Sequence, residues 1–147
     1  MKHTIYKEIS LPQPPEQVWR AISNRAALAD WMYPNDFEPR VGHRFSFHVP
    51  PKPEVGFDGL IVNCEVLECD PPNQLVFSWS AGGPVDNTQV SFRLEPDGEG
   101  TRLFLAHSGF DLSHPFGDQA FKGAGYGWAM MLGQLAKAIA GEASAGN

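Results

Sequence analysis

Three stretches of this sequence alternate between large apolar residues and smaller or polar ones: Leu75, Phe77 and Trp79; Val90, Phe92 and Leu94; Leu103, Leu105 and His107. Successive side chains of a β-strand point to opposite faces, so each stretch predicts a strand with one apolar side. The intervening Ser78, Ser91, Arg93 and Arg102 suit water. Strands of this kind form an antiparallel sheet that is wet on one face, and the other face must be covered.

The cover lies at the end of the chain. Between Gly117 and Ala140, the residues Phe121, Ala124, Trp128, Met131, Leu132, Leu135 and Ile139 recur at steps of three and four. That spacing predicts a helix with an apolar stripe. At ~1.5 Å per residue it spans roughly 36 Å, enough to cross a whole sheet.

The remaining segments fill in the order. His3 to Ser10 reads as a first strand that stops at Pro12, and Pro14-Pro15-Glu16 opens a helix whose apolar face is Val18, Trp19 and Ile22. Ser23-Asn24 can cap a second helix, Arg25 to Trp31, which Pro34 and Pro39 keep from continuing. Strands are expected at Glu38 to Val41, Arg44 to Val49, Gly56 to Cys69, Gln74 to Ser80, Thr88 to Glu95 and Thr101 to Ser108. The turns Asp70-Pro71-Pro72-Asn73, Ala81-Gly82-Gly83-Pro84 and Pro96-Asp97-Gly98 join consecutive antiparallel strands. The sum is one α+β domain over residues 1–142: about seven strands, two short helices after the first, a long C-terminal helix, and a flexible tail at 143–147.

Charge and motif content exclude several function classes. The formal net charge is −6 and neither Lys nor Arg forms a run, so no nucleic-acid partner is expected. No stretch of about 18 apolar residues offers a membrane span, and no signal-like stretch follows the start, which predicts a cytoplasmic protein without a membrane partner. Cys64 and Cys69 stand five apart in one expected strand, about 17 Å from one another; they read as free thiols on opposite faces. The histidines at 3, 43, 48, 107 and 114 form no metal-ligand pair and no acidic cluster accompanies them, so no metal is expected. No nucleophile motif, phosphate loop or dinucleotide fingerprint is present; hence no cofactor and no recognisable catalytic motif.

Candidate site residues follow from the faces. Trp31, Phe77, Trp79, Trp128 and Met131 should point between sheet and helix, together with Phe92, Leu103, Leu105 and His107. Two readings stay open: these side chains line a cavity for an apolar guest, or they fill the core. His107 ends its inward row, where a backbone carbonyl could satisfy it or a guest could be bound or deprotonated by it. Arg44 and His48 share a parity and Asp58 precedes the next strand; solvated surface is their default. Gly123, Gly125, Gly127 and Gly133 each cost up to about 1 kcal/mol in a helix interior. They require either close packing on the sheet or room for a ligand, and Gly123-Ala124-Gly125 could also mark a kink where the helix begins.

Four segments also carry a family resemblance: Ile9-Ser10-Leu11-Pro12 through Pro15-Glu16-Gln17-Val18-Trp19-Arg20-Ala21 with Leu28 and Trp31; Val66 through Trp79; Gly100 through Leu105 leading to His107-Ser108-Gly109-Phe110; and Gly127-Trp128 with Leu132 and Leu135. Together they resemble the Bet v 1-like, or START-like, helix-grip superfamily, in the branch similar to the C-terminal domain of the activator of Hsp90 ATPase. The resemblance implies a curved sheet gripping the last helix, with the two short helices closing one end of a cavity. Members include carriers, antibiotic-sequestering proteins, polyketide cyclases and a chaperone regulator. The expected function is therefore binding of a small hydrophobic or aromatic molecule in an internal cavity. The alternatives are an enzyme of cyclase or hydrolase type using the same cavity, and an Hsp90-related co-chaperone-like protein. The last is the least expected, because the eukaryotic regulator engages the chaperone through a further N-terminal domain and this chain opens on the first strand. A homodimer stays open, since an exposed sheet edge reads the same as a concealed one.

Overall fold

The alternating stretches become adjacent strands in the computed structural model, which describes residues 2–56, 58–82 and 85–145. In chain order the elements are β1 (Lys2–Leu11), α1 (Pro15–Ile22), α2 (Arg25–Trp31), β2 (Arg44–Val49), a 3₁₀ turn (Pro53–Val55), β3 (Leu60–Asp70), β4 (Gln74–Trp79), β5 (Thr88–Asp97), β6 (Gly100–Asp111) and α3 (Gly117–Ala145). One curved sheet runs β1-β6-β5-β4-β3-β2, with every neighbouring pair antiparallel. Among the described residues no helix is long and apolar enough to cross a membrane.

Register brings the inward residues together. Leu75 stands opposite Phe92 and Phe77 opposite Val90, while Val90, Phe92 and Leu94 stand opposite His107, Leu105 and Leu103. On the far side Ile5 opposes His107 and Ile9 opposes Leu103. The stripe of α3 covers this face, with Trp128, Leu132, Leu135 and Ile139 buried. The two short helices close one end with Val18, Ile22, Leu28 and Trp31. Both begin as expected: Pro15 occupies the first turn of α1, and the Asn24 side chain accepts from the Ala27 N–H at 3.0 Å to cap α2.

Several sequence expectations are corrected. Among the described residues the sheet has six strands, because residues 38–41 form no strand. The Glu38 carboxylate instead meets Arg40 at 2.8 Å and His43 at 3.4 Å. Gly42, at φ 90°, turns the chain, and the His43 N–H donates to the Arg40 carbonyl at 3.0 Å. β3 starts at Leu60 rather than at Gly56, which takes a left-handed φ of 73°. Cys64 and Cys69, both free, lie on one face rather than opposite faces. A bulge between Val66 and Glu68 resets the alternation, so that Val66 opposes Phe77 and Cys69 opposes Leu75, both inward. α3 begins at Gly117 and passes Gly123-Ala124-Gly125 without a break. Of the turn at 81–84, Gly83 and Pro84 lie outside the described residues, as do residues 146 and 147 of the expected tail.

Two glycines differ sharply in what surrounds them. A Cβ on Gly100, at the start of β6, would collide with the Leu11 carbonyl oxygen of β1, whereas one on Gly123 would meet nothing within 4 Å. Gly100→Ala should therefore cost ~1–3 kcal/mol by forcing the strands apart. Gly123→Ala should add up to about 1 kcal/mol by stiffening the helix. Urea titrations followed by circular dichroism would give both signs, and equal signs would contradict this packing.

Candidate functional site

Eight of the nine expected site residues are buried together, and Met131 is half-buried at their margin. Phe77, Trp79, Phe92, Leu103, Leu105 and His107 reach this place because the three alternating strands are neighbours. Trp31 arrives from the end of α2 and Trp128 from the middle of α3. Ring contacts join them: Trp31 to Phe92 at 6.1 Å, Phe77 to Phe92 at 6.0 Å, Phe92 to Trp128 at 5.9 Å and Trp79 to Trp128 at 5.8 Å. The Trp31 indole N–H donates to the Ala21 carbonyl at 2.9 Å, which ties α2 to α1.

Apart from the Trp31 N–H, polarity among these residues runs along one line. The Trp128 Nε1–H donates to His107 Nδ1 at 2.9 Å. With Nδ1 accepting, the imidazole proton belongs on Nε2, which donates to Thr88 Oγ1 at 2.8 Å. The Thr88 hydroxyl in turn donates to the Trp79 carbonyl at 2.6 Å. Every buried polar atom of the line has a partner, and no backbone carbonyl is needed to satisfy His107. Burial holds its pKa down at about 3, so the ring is neutral at ordinary pH. Protonation would aim an Nδ1–H at the Trp128 N–H and break the line. With both nitrogens engaged, His107 offers no free lone pair for acid–base chemistry.

Sequence reasoning missed several members. Thr88 stands two residues before Val90 on the inward parity of β5, a signal that was available. Phe45 and Phe47 of β2 face inward beside Phe77, at 5.5 and 6.1 Å. Phe37, buried in the connection before β2, packs edge-on against Phe45 at 5.1 Å; no periodicity marks it. Around the cluster Tyr33, Val49, Ala81, Val85, Ala124 and Met131 are partly buried against the core. Burial raises the Tyr33 pKa. Arg44 and His48 lie on the outward parity of β2 and are exposed, as is Asp58. Among the described residues, Lys7 is the only charged side chain on the inward rows of the sheet, at the outermost strand and half-buried. No group of His, Cys, Asp and Glu among them could hold a metal ion.

Comparison with known proteins places this arrangement. A family model described as Activator of Hsp90 ATPase homolog 1-like protein matches residues 12–140. Protein MLL2253 from Mesorhizobium loti has a similar structure, with 31% sequence identity, a TM-score of 0.80, and coverage of 93% of this chain and 96% of that one. Protein BH1534 from Bacillus halodurans is 25% identical with a TM-score of 0.76 and the same coverage of 93% and 96%. The Aha1 dimer from Colwellia psychrerythraea shares the fold at 20% identity, with a TM-score of 0.73 and coverage of 93% and 96%. No curated protein sequence matches the chain.

The line through His107 makes stability depend on pH. The folded-state pKa of about 3 lies below the ordinary 6.5, so the unfolded chain takes up the proton first. The stabilisation is complete above pH 6.5 and is lost as pH falls toward 3, at on the order of 1 kcal/mol per unit. His107→Leu should flatten the slope between pH 6.5 and 5, while costing ~1–3 kcal/mol at neutral pH through the unpaired Trp128 N–H. Denaturant melts across this range would measure both effects, and an unchanged slope would count against the line.

Proposed function

The chain belongs to the Activator of Hsp90 ATPase homolog 1-like family, and from that premise we propose that it binds a small hydrophobic or aromatic molecule between the sheet and α3. The observation that carries this reading is the chemistry of the enclosed surface. It is a largely aromatic wall in which the line through His107, the Trp31 N–H and the Thr101 hydroxyl all have partners, and among the described residues its only charge is Lys7 at the edge. Such a surface favours an apolar guest and gives a charged one nothing to pair with in its interior.

Space for the guest must come from movement, because the aromatic rings now occupy the interior. The first half of α3 is suited to it. Gly123, Gly125 and Gly127 present no side chain, and a Cβ at any of them would meet nothing within 4 Å. Nothing at those positions interlocks with a neighbour. Trp79, Trp128 and Met131 would be displaced or would stack on the guest.

The enzyme reading has less support, since both nitrogens of His107 are engaged. A chaperone-related role rests on the family description, and self-association fits the dimeric relative from Colwellia. A cytoplasmic location belongs to the same reading and suits two unpaired cysteines.

An apolar fluorescent probe should bind the protein, be displaced by aromatic compounds, and quench tryptophan emission. Met131→Trp, which fills the margin, should weaken the probe at least about 10-fold, a loss of roughly 1.4 kcal/mol. Absence of probe binding to the wild-type chain would sink the proposal.

A further inference from the structure

The two edges of the sheet are treated differently. In a β-strand the N–H and C=O of a residue point to the same side, and that side alternates together with the side chain. Inward-facing Val66 on β3 turns toward the β2 side, where its N–H donates to the His43 carbonyl at 3.0 Å and its carbonyl accepts from the Gly42 N–H at 2.8 Å. Outward-facing Asn63 turns the other way and exchanges two bonds of 2.9 Å with Ser80. Carried across the antiparallel sheet, this rule points Ile5, Lys7 and Ile9 of β1 toward β6. The backbone groups of Thr4, Tyr6, Glu8 and Ser10 therefore point out from the free edge.

At the opposite edge the equivalent outward groups of β2 are capped. The Ser46 N–H donates to Asp36 Oδ1 at 2.7 Å and the His48 N–H donates to the Pro34 carbonyl at 2.9 Å. Nothing among the described residues does this for β1. That strand is ten residues long, holds no proline, and keeps an unbroken register from Thr4 to Leu11. The Tyr6 ring stands at its middle, 77% exposed. An uncovered edge of this length is a template for another strand.

We infer that β1 pairs with β1 of a second copy of the chain, antiparallel about a two-fold axis at Tyr6, and so continues the sheet from one copy into the next. Side chains keep their faces only in registers where residue numbers of opposed pairs sum to an even value. An axis at Lys7 would set two inward ammonium groups against each other. An axis at Ile5 aligns a shorter overlap. The axis at Tyr6 opposes Tyr6 to Tyr6 of the partner subunit and Thr4 to Glu8 of the partner subunit, and the free-edge groups then meet in roughly six backbone hydrogen bonds. This surface lies apart from the enclosed cluster, so it stands or falls independently of ligand binding.

Sedimentation velocity of the full chain from about 1 to about 300 µM tests it. The wild type should pass from 16.2 kDa to twice that mass. Tyr6→Pro removes a free-edge donor without removing a bond to β6, and Tyr6→Lys puts like charges across the axis; each should weaken the dimer at least about 10-fold. Thr4→Lys, opposing Glu8 of the partner subunit, should tighten it. Probe binding should be unchanged in all three. A wild type that stays monomeric, or a dimer indifferent to both Tyr6 variants, overturns the interface, and a dimer weakened by Thr4→Lys overturns the register.

Discussion

An imidazole inside an aromatic core is tolerable only when it is neutral and both of its nitrogens are occupied, and His107 meets that condition through Trp128 and Thr88. The rest of the grip depends on this line. Apolar contacts between α3 and the sheet are strong in sum but non-directional, so they alone would tolerate other placements of the helix. The bond from Trp128 has a direction. It selects the placement in which Leu132, Leu135 and Ile139 continue the cover toward α1 and α2 while Phe121 reaches Phe110, at 5.5 Å between ring centres.

The chemistry of the site follows from how little polarity the fold admits. Charged groups are kept to the outward rows, where Arg102 meets Glu8 at 3.0 Å and Arg44 meets Glu65 at 3.5 Å. Among the described residues the inward rows retain Lys7 alone, at the margin. The indole and phenyl rings meet one another across this space, and the polar groups among them are already engaged, so shape rather than charge distinguishes what could stand in their place. On α3 a Cβ at Gly123, Gly125 or Gly127 would meet nothing within 4 Å, whereas one on Gly117 would collide with the Asp111 backbone, so the helix is packed closely at its start and loosely just beyond Phe121.

Much of this was legible in the sequence, and the exceptions have physical causes. Alternation with period two identified the inward rows, and the caps of α1 and α2 fixed those helices, because each rests on a local rule. The segment at 38–41 reads like a strand, yet Glu38 is drawn to Arg40 and His43, and Gly42 turns the chain back. Phe37 plugs the core from a connection with no periodicity to betray it. Simple alternation puts Cys69 on the face opposite Cys64, but one bulge reverses every parity beyond it, and no residue type in Val66-Leu67-Glu68 announces a bulge. Composition could flag His107 as notable, but its partners come from β5 and α3, and a pairing across three elements is invisible to local reading.

The line from Trp128 to Trp79 also has a mechanical meaning. It fastens α3 near its middle with a directional bond, while Phe121, Leu132, Leu135 and Ile139 hold by non-directional contacts. Sliding the helix along its axis, or rolling it about that axis, would break the fastening, whereas tilting about it would not. The position of α3 along and about its axis is thus set at Trp128, and the tilt is left to the packing of Phe121 at one end and Ile139 at the other.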